Sequence, residues 1–126
     1  MSGALALDAG ALIALDRNQR QVVALIARAT ERGDRVIISA GALAQAMREP
    51  ATQARLSRLV RQPSTDVIPI DRVDAVRVGR RLAVSGTSDV VDAHVVESAQ
   101  RANAPVVTSD PDDLRHLDPN LRIVVV

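Results

Sequence analysis

The 126-residue chain has no cysteine, no aromatic residue and no lysine, and each absence removes a class of chemistry. Without cysteine there are no disulfides and no thiolate metal sites, a composition that fits a reducing compartment. Without Phe, Tyr or Trp there is no such aromatic ring to stack on nucleic-acid bases, and the core must be built from Ala, Val, Leu and Ile. All 16 basic residues are therefore arginine. No basic leader with an apolar core precedes Ala4, and no apolar run approaches the roughly 18 residues that span a bilayer. The expectation is a soluble cytoplasmic protein with no membrane partner. A formal net charge of +1 is too small to advertise nucleic-acid binding by itself. Glycine-rich dinucleotide loops and phosphate-binding P-loops are also missing.

What is present is organised around residues 86 to 110. Gly86-Thr87-Ser88-Asp89-Val90-Val91-Asp92-Ala93-His94 opens a helical pattern that runs to about Ala102, with Ser88 or Asp89 a natural N-cap. Ala104-Pro105-Val106-Val107-Thr108-Ser109-Asp110 then reads as a short apolar strand that delivers Asp110 just past its carboxyl end.

Before this stretch, Ala4 to Leu7 reads as a buried strand emptying into Asp8-Ala9-Gly10, and Ala11 to Arg32 as helix with a break near Arg17-Asn18. Arg35 to Ser39 is a second strand, followed by helices over Ala40 to Arg48 and Ala51 to Arg61. Asp66 to Ile70 is a third strand. Arg72 to Val84 is a helix with Val73, Val76 and Leu82 expected inward and Arg72, Arg77, Arg80 and Arg81 outward. Pro105 to Thr108 and Leu121 to Val126 complete five strands. Alternating strands and helices with short continuous apolar strands predict a single α/β domain over 1–126, three-layer, with a mostly parallel sheet.

Such sheets bind ligands beyond the carboxyl ends of their strands. Asp8 and Asp110 each follow a strand, and Asp89 and Asp92 sit at i and i+3 in the first turn of a helix, where anionic side chains share a face and are favoured. Four carboxylates converging there would repel one another and raise each other's pKa. A Mg²⁺ or Mn²⁺ ion would relieve that repulsion, because hard cations prefer carboxylate and water oxygens. In that role it activates water and neutralises charge on a transferred phosphate. The blander readings are a solvated turn for Asp8 and a plain N-cap for Asp89. For Asp92, inside Val90-Val91-Asp92-Ala93-His94-Val95-Val96, a surface role is hard to reconcile with the cost of burying an unpaired charge. His94 and His116 lack partners at zinc spacing, so His94 reads as a satisfied helix residue.

These motifs resemble the PIN domain family, in particular its small VapC-like ribonuclease toxins. Leu7-Asp8-Ala9 with Leu12-Ile13-Ala14 is similar to the family's opening acidic motif, Asp92-Ala93-His94-Val95-Val96 to its central one and Thr108-Ser109-Asp110 to its closing one. The resemblance covers nearly the whole chain. It implies a three-layer α/β/α PIN-like fold with a mostly parallel five-stranded sheet. It also implies a Mg²⁺-dependent endoribonuclease in which Asp8, Asp92 and Asp110 are catalytic and hold metal, with Asp89 as a further metal candidate. Thr108 would orient a neighbouring carboxylate or a water, and Asp113 or Asp112 would be the additional acid some members carry. RNA as substrate, a homodimer and a cognate antitoxin covering the active site are further implications.

Two positions depart from the family pattern. Gln45 stands where the family has glutamate, and an amide brings no charge; Glu49 one turn later, or Asp89, is left to restore the count. Gly10 stands where a small hydroxyl or amide residue is usual, which removes a hydrogen bond behind the acids. The alternative is a PIN-like domain of weakened or lost catalysis that binds RNA or protein. Receiver and paired-aspartate phosphatase readings fail for want of a lysine and of a second acid after Asp8. The arginine rows are expected as solvated helix faces, able to hold RNA phosphates if they border the acidic cleft.

Overall fold

The computed structural model describes residues 3–126. Ala4–Leu7 (β1), Arg35–Ser39 (β2), Thr65–Ile68 (β3), Val106–Thr108 (β4) and Ile123–Val125 (β5) form one sheet in the order β3-β2-β1-β4-β5. Every pairing is parallel, so the expected mostly parallel sheet is wholly so. β1 pairs with β2 through Leu5↔Val36 and Leu7↔Ile38, and with β4 through Leu7↔Val107. These central strands are buried on both sides, as continuous apolar runs in a parallel sheet require.

Helices α1 (Ala9–Asp16), α2 (Arg20–Glu31), α3 (Ala40–Ala46) and α4 (Ala54–Val60) make the crossovers from β1 to β2 and from β2 to β3. After β3, α5 (Arg72–Ser85) and α6 (Val90–Ala102) carry the chain back across the sheet to β4. Helix α7 (Pro111–Leu117) then leads to β5. Right-handed crossovers running first one way and then the other place α1–α4 and α5–α7 on opposite faces, giving the three-layer α/β/α fold. The break expected near Arg17-Asn18 is there, with Asn18 at a φ of 60° between α1 and α2. The third strand begins and ends earlier than the Asp66 to Ile70 span expected, and Pro50 leads through turns to Ala54 rather than starting a helix.

One expectation about a helix face is reversed. Val73 and Val76 on α5 are each 54% exposed, while Asp74 is 2% and Val78 3% exposed. The side that α5 turns into the protein is marked by an acid rather than by the expected pair of valines.

The strand order reverses between β1 and β4. Neighbouring strands there send their chains to opposite faces, which leaves a crevice beyond their carboxyl ends.

Candidate functional site

Asp8 emerges from β1 at this crevice as the N-cap of α1, its Oδ1 accepting the Ala11 N–H at 2.8 Å. It is only 8% exposed. Burial raises its pKa above the ordinary carboxylate value, and hydrogen bonds from Thr108 and Ala11 oppose that rise. Thr108, the last residue of β4, is fully buried, and its hydroxyl accepts the Asp110 N–H at 2.9 Å. One hydroxyl thus ties the ends of β1 and β4 together.

Asp110 occupies the N-cap position of α7, ahead of Pro111 at the first helical position, yet makes no side-chain cap bond. Its carboxylate is left exposed beside Asp113. Its pKa is raised, chiefly by the hydrogen bond and negative charge of Asp113, with Asp112 and Asp8 adding to the effect.

Asp92 reaches the same place from α6. That helix starts where Gly86 ends α5 in a left-handed turn at φ 72°, a conformation that favours glycine. Asp89 then caps α6, its Oδ1 accepting the Asp92 N–H at 2.9 Å. Asp92 is half-buried and its carboxyl is pushed up to about 6, by burial first and then by the charges of Asp89, Asp113, Asp8 and Asp110.

Asp8, Asp92, Asp110 and Asp113 line one cleft of about 220 Å³ together with Gly10 and Ser109. Asp89 and Asp112 lie next door, in a wider groove of about 550 Å³ that shares Asp92 and Asp113 with the cleft. The fourth acid of the cleft itself is therefore Asp113 rather than Asp89. Gln45 is exposed on α3 and lines a separate groove with Ile13, Asp16, Arg17, Arg48 and Gln53, so it is not among the residues that line the acidic cleft. Glu49 follows α3 and lines neither the cleft nor its neighbour. Gly10 lies where a Cβ would sit 3.4 Å from Ser109 Oγ and 3.6 Å from Asp8 Oδ1, ordinary contact distances. The backbone there has room for the Cβ of the side chain the resemblance leads one to expect.

No ion pair among the described residues involves Asp8, Asp92, Asp110 or Asp113. An all-carboxylate donor set suits a hard divalent cation. Among the described residues no group of three acids is close enough to hold a metal ion as it stands.

A second polar cluster, unforeseen as such, lies two residues along α6. His94 is fully buried; its Nε2 is 2.9 Å from Asp74 Oδ2 and its Nδ1 is 2.7 Å from Ser39 Oγ. Arg101 donates to Asp74 Oδ1 at 2.6 Å. Arg101 and His94 together hold the Asp74 carboxyl below its ordinary value. An ionised Asp74 can only accept, which puts the proton on His94 Nε2 and lets Nδ1 take the Ser39 hydroxyl hydrogen. The Ser39 oxygen meanwhile accepts the Ala42 N–H at 3.4 Å, capping α3. The signal was in the sequence: His94 sits among Ala93, Val95 and Val96, so it had to be buried and partnered. Its partners, 55 and 20 positions away, were not legible from spacing.

The acids gather beyond β1 and β4 of a three-layer α/β/α sheet, where the strand order reverses and such folds bind their ligands. The chain belongs to the PIN domain family, whose model, described as PIN domain, matches residues 5–119. PIN domains are generally nucleases that use divalent metals and bind nucleic acid. No curated protein matches the chain. Among the described residues no helix is long and apolar enough to cross a membrane.

Proposed function

We propose that the protein is a Mg²⁺- or Mn²⁺-dependent endoribonuclease of the VapC-like kind, the toxin of a toxin–antitoxin pair, acting in the cytoplasm as a homodimer until a cognate antitoxin covers its cleft. The observation that carries this reading is the gathering of Asp8, Asp92, Asp110 and Asp113 around one crevice, with none of them in an ion pair among the described residues. Like charges in such proximity are costly without a counter-ion, and the pKa of Asp92 is raised by its burial first and then by the charges of the neighbouring acids.

In this reading Asp8, Asp92 and Asp110 hold the ion and the reacting phosphodiester, with Asp89 at the rim. When bound, the ion supplies charge neutralisation at the phosphate and a water acidic enough to attack it. Asp8 is kept in place by the Ala11 N–H and Thr108, and Thr108 also fixes the backbone that presents Asp110. Asp113, beside Asp110, is a further acid lining the cation site.

Two observations favour a second reading, a PIN domain that binds RNA or protein without cleaving. Gln45 brings no charge, and no three acids converge as they stand among the described residues. Calorimetry with Mg²⁺ and Mn²⁺ on the protein and on Asp92→Asn, with cleavage of a structured RNA pool in parallel, separates the two. Binding and cleavage that both disappear in the variant support the nuclease. Absence of both in the unmodified, antitoxin-free protein leaves the binding module.

A further inference from the structure

Helix α5 carries arginines at its start and along its later turns, and one of them is engaged. Arg81 donates to Glu97 at 2.9 Å, to Gln100 at 2.6 Å and to the Leu117 carbonyl at 3.1 Å. Arg72, Arg77 and Arg80 are exposed, and none takes part in an ion pair among the described residues. Between and beside them lie the exposed valines Val73, Val76 and Val84, the last 91% exposed.

Grooves on this face are linked to the acidic cleft through shared lining residues. Arg72, Arg77 and Arg80 line one shallow groove with Val73 and Val76. Arg77 and Arg80 also line the next, with Val84, Leu117 and the Arg81–Glu97 pair, whose charges offset each other. Leu117 is shared with the wider groove of Asp89 and His116, and that groove shares Asp92 and Asp113 with the cleft. The other free arginine row, Arg55, Arg58 and Arg61 around α4, lines none of these grooves.

A polyanion approaching four carboxylates is repelled from the point of chemistry, so its hold on the protein must come from cations elsewhere on its path. Of the two rows, the α5 row combines unpaired positive charge with a connected surface. From Arg72 to Arg80 the helix rises about 12 Å, enough for more than one phosphate along a single strand. The valines offer apolar contact to sugars and base edges, which the missing aromatics cannot. An acidic protein segment would match the arginines equally well, but it would gain nothing from the groove's continuation into the carboxylates, where a substrate backbone has to end.

We propose that the outer face of α5 is an RNA track, in which Arg72, Arg77 and Arg80 hold backbone phosphates of a single strand whose scissile phosphodiester lies in the acidic cleft. The proposal rests on the nuclease reading for the destination of the strand, while binding along α5 is measured independently of cleavage.

The test is fluorescence anisotropy of a labelled single-stranded RNA of about 15 nucleotides, in EDTA over a range of salt. The proteins compared are the full chain, Arg72→Ala/Arg77→Ala/Arg80→Ala, the corresponding triple Arg→Lys variant, and Arg55→Ala/Arg58→Ala/Arg61→Ala. The α5 alanine variant is expected to lose roughly tenfold or more in affinity, and its log–log salt slope to flatten by about 2, near 0.7 per phosphate contact removed. The lysine variant should keep the slope and the α4 variant both quantities, which separates lost contacts from lost fold. Where Mg²⁺ supports cleavage, the α5 alanine variant should raise KM and leave kcat.

Salt-dependent RNA binding that the α5 variant abolishes supports the track even if the unmodified protein cleaves nothing, an outcome that sinks only the nuclease reading. Affinity and slope unchanged in the α5 variant overturn the track. If that variant also breaks a dimer seen by sedimentation, the valine-arginine face belongs to a protein interface instead.

Discussion

Asp92 and His94 are two residues apart on α6 and sit in opposite electrostatic worlds. Asp92 faces a cleft in which every charged neighbour is negative, and its carboxyl is pushed up to about 6. His94 closes a buried chain from Ser39 to Asp74 and Arg101, in which each group has a partner and the carboxyl is held below its ordinary value. Helix α6 thus joins a site built for stability to one that sacrifices it. An arrangement that remains electrostatically unsatisfied in a protein able to satisfy such groups nearby is what the proposed cation site would leave when empty.

The contrast is most severely tested at its two ends. Asp92→Asn should reduce RNA cleavage by at least a hundredfold in a gel-based assay while raising the midpoint of urea unfolding at pH 7. The gain should be of order 2 kcal/mol after solvent screening of a half-buried group, because each tenfold change in a protonation equilibrium corresponds to about 1.4 kcal/mol. If the variant is instead less stable, the cleft is not strained and the comparison fails.

Asp74→Ala should do the reverse. It strands His94 and Arg101, and the loss in urea unfolding should be about 3 kcal/mol, because removing one partner leaves buried polar groups uncompensated.

The two clusters also predict opposite limbs of one pH profile. A raised carboxyl pKa means that the native state binds the proton more tightly. Asp92 therefore destabilises the protein above about 6, and relief is gained as pH falls from about 6 towards 3.8. Asp74 has a lowered pKa, so its stabilisation is complete above 3.8 and is lost as pH falls further. Thermal unfolding without divalent metal should show a maximum in mild acid. Asp92→Asn should flatten the upper limb alone, and saturating Mg²⁺ at pH 7 should raise Tm in the unmodified protein more than in that variant.

The smallest effect sharpens the comparison from within the cleft. Gly10→Ser offers Asp8 one donor at ordinary contact distance. It also replaces glycine in a helix, for a gain of about 0.5 kcal/mol by urea titration. No gain there, with Gly79→Ala on the open face of α5 giving its own about 1 kcal/mol, would mean that the cleft does not accept the donor.

Much of this was legible beforehand, for identifiable reasons. Strands such as Val36-Ile37-Ile38 announce themselves because burial on both faces demands unbroken apolar runs, and turns such as Asp8-Ala9-Gly10 mark where they end. The acids after β1 and β4 followed from that. Which of Asp112 and Asp113 lines the cleft did not, because the path of the chain after Asp110 depends on how α7 packs; it is Asp113, with Asp89 and Asp112 in the adjoining groove. Val73 and Val76 face outward against expectation, since periodicity gives the stripe of a helix but not which side meets the protein. On α5 the buried Asp74, held by residues from other elements, decides that side.

The hydrogen-bonded chain through His94 has a consequence for motion as well as for energy. A seam of methyl groups can be repacked with modest loss, since hydrophobic contacts tolerate substitution of shape. The seam around α6 has no such latitude. Rotating the helix by one residue, about 100°, would pull His94 from Ser39 and Asp74 at once and leave buried polar groups bare. The helix is keyed like a shaft in a slot, and the key sits less than one turn from Asp92, so the direction in which that carboxylate points is set by a lock on the far side of the same helix.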